Sequence, residues 1–332
     1  FWLKVAGGPR MAPPGLAATM WALLRSGGGM VWDTAQPRPK LRDGHALLRV
    51  RGAAINPVDY KAPKVLLGPI VGLDVAGVVE AAGEGSPWQP GDEVFGRAQG
   101  SLAQFASSRS DYLARKPSSL SWAEAAALPT AYLTGLQGLR DHARMTTGDR
   151  VLVIGASGGT GLAGLQLAKL LGASEVVGIC SGANAELCRQ HGADRIVDYK
   201  TELAQKRLRD VFGPGSFDVV YDCATGSGAG EDYKAQGLEV LKKGRTMVAL
   251  NGGVFDWLKC LTGFTGCGAH KLILTSGTGN AEDLEFLAKS GIKPCFADGF
   301  DGAPLNEENV LHGFTLLKSR RARGKIAFAV AE

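Results

Sequence analysis

From Met20 onward the chain alternates apolar and polar positions in short runs. MWALLRS (20–26), HALLRVRGAAI (45–55) and VGLDVAGVVEAAG (71–83) place hydrophobic residues near every second position, with Gly and Pro between the runs. GDEVFG (91–96) follows a turn at Pro90-Gly91. This pattern predicts an all-β stretch of barrel type to about residue 118. At Ser121 the period changes, and SWAEAAALPTAYLTGLQGLRDHA predicts a helix. Ser121 is its candidate N-cap, with Glu124 three residues on completing a capping box.

After residue 148 strands alternate with helices. RVLVIGA (150–156) is a buried strand, and LAGLQLAKLLGA (162–173) a helix closed by Gly172. SEVVGIC (174–180), NAELCRQHGA (184–193) and DRIVDY (194–199) follow as strand, helix and strand. FDVVYDCAT, GRTMVALNGG and LILTSG extend the set of buried strands. This order predicts an α/β fold with a doubly wound parallel sheet. EDLEFLAKSG (helix), KPCFADGF (strand), NEENVLHGFTLLKS (helix) and ARGKIAFAV (strand) suit a return to the first domain. FWLKVAGGPRMAPPGLAAT, before the first clear strand, has no period and reads as a targeting or linking extension or as a disordered terminus.

Composition narrows the classes. With 45% hydrophobic and 21% charged residues the chain is an ordinary globular one, and 332 residues allow two domains. The net charge of +5 is scattered, with no basic stripe interleaved with aromatics, which argues against a nucleic-acid partner. The six cysteines show no C-x2-C spacing and no paired histidines follow them, so no metal site is expected. Residues 151–168 carry no charge, but their five glycines and three polar residues fit strand, loop and helix better than a membrane span, and no transmembrane segment is expected.

The strand ending at Ile154 runs into GASGGTG (155–161) and directly into a helix. Ala156, Gly158 and Gly161 give an A-x-G-x-x-G variant of the dinucleotide fingerprint. Small residues let the backbone turn tightly and approach a pyrophosphate, to which the helix N-terminus offers free N–H groups. Ala156, Ser157, Gly158, Gly159, Thr160 and Gly161 are the expected cradle. About 20 residues further on, NAD-binding chains place an acid for the ribose 2′-hydroxyl. Here that position is Ser181, and no carboxylate follows before Glu186. Ser181 and Asn184 can donate hydrogen bonds without repelling a 2′-phosphate; the alternative is that Ser181 is only a turn residue. Tyr199 could flank the adenine, and Arg320, Arg321 or Arg323 could supply positive charge. NADPH is therefore the expected cofactor. Ala224 and Asn251, at the carboxyl ends of two later strands, are expected to border its nicotinamide half.

INPVDYK (55–61), GLDVAGVVE (72–80), PGDEVFG (90–96), EAAALPTAYLTGLQGL (124–139), IGASGGTGLAGLQLAKLLGA (154–173) and ARGKIAF (322–328) together resemble the zinc-free quinone-oxidoreductase branch of the medium-chain dehydrogenase/reductases. CSGANAELCRQHGADRIVDYKT (180–201) also resembles chloroplast-envelope quinone oxidoreductase homologues and mitochondrial reticulon-interacting oxidoreductases. The resemblance implies a GroES-like β-barrel domain, from 20–137 and 278–332, around a Rossmann domain at 138–277, with residues 1–19 as an extension. It implies NADPH-dependent reduction of a quinone or of the C=C bond of an α,β-unsaturated carbonyl. Asn56, Tyr60, Lys61 and Thr134 are the catalytic candidates it points to. Asn56 matches a position near nicotinamide and substrate and could donate to the substrate oxygen, or form only an Asx turn before Pro57. Tyr60 and Lys61 carry titratable donors, or sit on a solvated loop. Thr134 matches a position beside the nicotinamide. APKVLLGPIV, between DYK and GLDVAG, is shorter than in many relatives, which leaves an accessory, non-catalytic subunit of a larger assembly as the alternative. The resemblance is also compatible with a homodimer, with peripheral association with a membrane or complex, and with an organellar address, plastid before mitochondrion, the cytosol remaining open.

Overall fold

The computed structural model describes residues 19–27, 29–61, 64–225, 233–250, 270–272 and 280–330. The N-terminal piece before Thr19 lies outside these residues, as does Asn251. Two sheets carry the architecture.

The first is the barrel sheet. Its strands are β3 (His45–Ile55), β4 (Asp74–Ala82), β5 (Glu93–Arg97), β6 (Phe105–Arg109), β7 (Leu113–Arg115), β14 (Phe296–Pro304) and β15 (Lys325–Ala329). The order is β14-β15-β3-β4-β5-β7, with β6 also paired to β3. Leu48, Val50, Val75, Val94, Phe300 and Phe328 fill its interior. A separate hairpin, β1 (Thr19–Ser26) and β2 (Gly29–Pro37), leans on it, with the Leu23 N–H donating to Leu102 O. The alternation of MWALLRS thus marks a real strand, but its partner is β2, which the sequence pattern did not single out. Thr19 belongs to β1, one residue before the expected first strand position at Met20. Two short helices, α1 (Pro57–Lys61) and α2 (Lys64–Leu67), follow β3.

The stretch from Ser121 forms not one helix but three consecutive turns of different kind. α3 (Trp122–Ala127) starts at the capping box of Ser121 and Glu124, as the spacing predicts. α4 (Pro129–Leu136) follows, then a π-helical turn at Gln137–His142. Pro129 causes the break: it has no N–H to donate backwards, and its ring occupies the first position of the new helix. Gly52 matters to this packing, because a Cβ there would stand 2.4 Å from the Trp122 carbonyl oxygen of α3.

The second sheet is parallel and has the order β10-β9-β8-β11-β12-β13. Its strands are β8 (Arg150–Ile154), β9 (Glu175–Cys180), β10 (Arg195–Asp198), β11 (Phe217–Asp222), β12 (Leu241–Ala249) and β13 (His270–Leu272). Helices α5 (Gly159–Leu170), α6 (Ala185–Gln190), α7 (Leu208–Phe212) and α8 (Lys234–Val240) connect them. Val151, Val153 and Val176 face one core; Leu152, Ile154 and Val177 face the other. Neighbouring residues of a strand feed opposite layers, as a sheet covered on both faces requires. The order reverses between β8 and β11, and this switch point places the carboxyl ends of those strands at a crevice. Helices α9 (Ala281–Lys289) and α10 (Glu307–Ser319) return the chain to the barrel through β14 and β15.

Candidate functional site

The glycine loop lies at that switch point. β8 delivers the chain to Gly155, whose φ of +76° is open to glycine at little cost. A Cβ on Gly161 would stand 2.2 Å from the Gly155 carbonyl oxygen, so this turn closes only with glycine there. Gly158 N-caps α5, and a Cβ on it would meet only Gly155 O, at 3.7 Å. The loop is therefore tight on its inner side and open at Gly158. The first-turn N–H groups of α5 have no intrahelical acceptors, which makes them donors for an anion. A glycine cradle with an open face suits a dinucleotide pyrophosphate.

The neighbouring strand ends add polar groups. Ser181 follows β9 and opens a short turn in which Asn184 N–H donates to Ser181 O. Asn184 Nδ2 donates to Ser157 Oγ at 3.0 Å, and its Oδ1 is buried without a hydrogen-bond partner. Tyr199, half-buried, is held by its N–H to Cys180 O. Ala224 is fixed by Asp222 Oδ1, which accepts from the N–H groups of Ala224 and Thr225. Ala156 through Gly161, Ser181, Asn184, Tyr199 and Ala224 thus share one sheet edge. Two features add to the sequence reading. Asp198 lies against the turn that follows β9, its Oδ2 2.6 Å from where a Gly182 Cβ would stand, so a carboxylate reaches this corner from β10. The charge of Arg320, from the segment after α10, also bears on Tyr60 and Lys61.

A second, buried polar cluster adjoins the loop. Asn56 ends the β3 connection, Asp74 begins β4, Thr130 lies in α4 and Lys325 begins β15. They are 4%, 0%, 6% and 4% exposed, so water cannot solvate their charges and they must satisfy one another. Asp74 accepts from Thr130 N–H and Oγ1 on one oxygen, and from Asn56 Nδ2 (2.8 Å) and Lys325 Nζ (3.3 Å) on the other. Lys325 Nζ also donates to Asn56 Oδ1 at 2.6 Å. Gly324 N–H donates to Ser157 O, and a Cβ on Gly159 would stand 3.1 Å from Lys325 Cδ. The barrel strand β15 therefore docks directly on the glycine loop.

These contacts give Asn56 a structural partner set that the sequence reading did not include. Both ends of its amide are already engaged, by Asp74 and Lys325. Thr134 is likewise buried, its Oγ1 donating to Thr130 O at 2.6 Å. Asp74, Thr130 and Lys325 were missed by sequence reasoning. The available signal was a lone carboxylate in GLDVAG and a lone lysine in GKIAF, each set in an apolar run.

Asp59, fully buried in α1, accepts Asn56 N–H through Oδ2 at 2.7 Å, while its Oδ1 has no partner. Burial, helped by the negative charge of Asp74, pushes its carboxyl up to about 7; the Asn56 N–H, Lys325 and Arg25 oppose this. At the end of α1, burial holds the Tyr60 hydroxyl above its ordinary value. Burial and then repulsion from Arg320 pull the Lys61 ammonium down. Among the described residues no three His, Cys, Asp or Glu side chains converge to hold a metal.

Comparison with known proteins agrees with this geometry. Residues 42–138 match the alcohol dehydrogenase GroES-like domain, and residues 159–256 match the zinc-binding dehydrogenase family. The chain belongs to the medium-chain dehydrogenase/reductase superfamily, in its quinone-oxidoreductase-like branch. It is 34% identical over 308 residues to 2-methylene-furan-3-one reductase of Solanum lycopersicum, covering 87% of this chain and 72% of that one. It is 32% identical, with the same coverage, to the chloroplastic NADPH-dependent alkenal/one oxidoreductase of Arabidopsis thaliana. Among solved structures, the quinone oxidoreductase of Coxiella burnetii aligns with a TM-score of 0.75 at 25% identity, covering 94% of this chain and 100% of that one.

Proposed function

We propose that this chain is an NADPH-dependent reductase of quinones or α,β-unsaturated carbonyls that works without zinc. The observation that carries the reading is the glycine loop seated against Gly324 and Lys325, so that cofactor cradle, barrel strand β15 and the start of α1 meet at one point. The relatives named above, an alkenal/one oxidoreductase and a furanone reductase, support the substrate class.

When bound, the dinucleotide supplies hydride to the electrophilic carbon of the substrate. The N–H groups at the start of α5 hold its pyrophosphate. Ser181 and Asn184 take the ribose end; no acid stands at Ser181, and among the described residues the Asp198 carboxylate beside Gly182 is the one negative group a 2′-phosphate would meet at this corner. Ala224 borders the nicotinamide side. Tyr60 and Lys61 donate to the developing oxyanion or return the proton. Asn56 acts as a positioning residue: with Asp74 and Lys325 it fixes the angle at which α1 leaves β3. An organellar address, plastid before mitochondrion, belongs to the same reading, as does a homodimer. Among the described residues no helix is long and apolar enough to cross a membrane.

The test is turnover by purified protein with NADPH and NADH against matched quinones, enals and enones. Faster reduction with NADPH is expected. NADPH binding without reduction of any member of the panel would favour an accessory subunit.

A further inference from the structure

A cavity of about 590 Å³ opens beside α1, and the reading above does not use its charge. Its wall includes Arg25, Asp59, Tyr60, Lys64 and Lys318, with the tip of the β1–β2 hairpin. Arg25 is built in: its guanidinium donates to the carbonyl oxygens of Gly68, Ile70 and Asp59, at 2.6–3.1 Å. All three acceptors are uncharged. Lys318 Nζ stands 5.7 Å from the centre of the Tyr60 ring.

Three cations, Arg25, Lys64 and Lys318, thus line the cavity, and among the described residues none of them forms a salt bridge with a carboxylate. Asp59 is the one carboxyl in the wall, and its Oδ2 is tied to Asn56 N–H. Asp59 acts on Arg25, yet the wall holds three cations to one carboxyl, and its balance is positive. Like charges held together in a partly closed space are an electrostatic focus for an anion.

We propose that this cavity binds the anionic end, carboxylate or phosphate, of a substrate whose enone or quinone carbonyl reacts in the adjoining cleft. The proposal rests on the reductase reading and names its substrate class. The distance is suitable. α1 runs from Pro57, next to the Asn56–Lys325 contact, to Lys61, about 6 Å at the helical rise. A linker of several methylenes spans that interval. Neutral substrates would gain nothing from the cavity; anionic ones would be steered to it and held.

The test compares three molecules of equal reactivity: oct-2-enal, 8-oxooct-6-enoate and the methyl ester of that acid. At low ionic strength the acid should show a kcat/KM at least tenfold above the ester, chiefly through KM, and the advantage should shrink with added salt. Lys64→Gln combined with Lys318→Gln should bring the acid down to the ester while leaving ester and octenal rates unchanged. Equal rates for acid and ester in the unaltered protein would overturn the proposal, as would a double variant that slows all three alike. If none is reduced, the reductase reading fails separately. Calorimetric titration of the NADPH-loaded protein with the acid and its ester then decides the cavity: tighter binding of the acid, lost in the double variant, supports it, and equal or absent binding overturns it. Inorganic phosphate should compete with the acid; phosphate that binds without competing would mark a separate effector site and overturn the substrate assignment.

Discussion

Asp59→Asn should change how stability depends on pH. In the folded chain the Asp59 carboxyl is pushed up to about 7, from 3.8 for an ordinary aspartate. Between these values the unfolded chain has lost the proton and the folded chain keeps it. The folded state then binds more protons, so stability contributed by this group is complete below 3.8 and falls until the pH passes about 7. At 1.36 kcal/mol for each tenfold step, the whole loss is about 4 kcal/mol. An asparagine resembles the protonated acid: its Oδ1 can still accept the Asn56 N–H that Asp59 Oδ2 now takes, and it carries no charge to desolvate. The variant should therefore be more stable than the parent by about 2 kcal/mol at pH 5 and about 4 kcal/mol at pH 8.5. With roughly 2–4 °C per kcal/mol for a chain of this order of size, the gap in melting temperature should widen by roughly 5 °C over that range. Melting curves of both proteins in matched buffers from pH 5 to 8.5 measure it. Parallel curves, or a variant less stable at pH 8.5, would refute the argument, because they would mean that Asp59 folds as a charged group.

Three further outcomes are expected. Gly158→Val puts a branched side chain on the open face of the loop, where only Gly155 O lies within 4 Å, so the fold should persist; NADPH affinity should drop about a hundredfold, or about 2.7 kcal/mol, and normal binding in a fluorescence titration would remove the loop from the cofactor site. Asn56→Ala withdraws the amide that joins Lys325 to Asp74 and should lower stability by about 1–3 kcal/mol. If Asn56 positions α1, turnover should also fall tenfold or more with NADPH affinity little changed, and an intact rate per folded molecule would leave it a purely structural residue. Ser181→Asp should reverse the preference for NADPH over NADH by setting a carboxylate against the 2′-phosphate; equal affinity of the unaltered protein for both cofactors would sink that assignment.

Local rules made much of this molecule legible in advance. The period-two runs became β1, β3 and β4, and the alternation after residue 148 became the parallel sheet, because side-chain periodicity reports which faces a segment can bury. The glycine loop could be placed on its strand and helix for a similar reason: tight turning and close approach are properties of consecutive small residues. The helix from Ser121 was legible at its start, where the capping box is local, and misread beyond Pro129, whose ring divides it.

The reacting end was another matter. Lys325 and Asp74 are 251 positions apart, and no spacing rule joins them. Only the return of β15 to the barrel brings the lysine under the glycine loop, and only burial makes its partners obligatory. The resemblance offers Asn56 as a substrate donor or an Asx-turn residue; that its amide is shared by Asp74 and Lys325 is decided only by the fold. The same holds for Arg25, Lys64 and Lys318, unremarkable cations in three separate segments. Charge acts through space and through the dielectric around it, not along the chain, so their common cavity exists only in the folded protein.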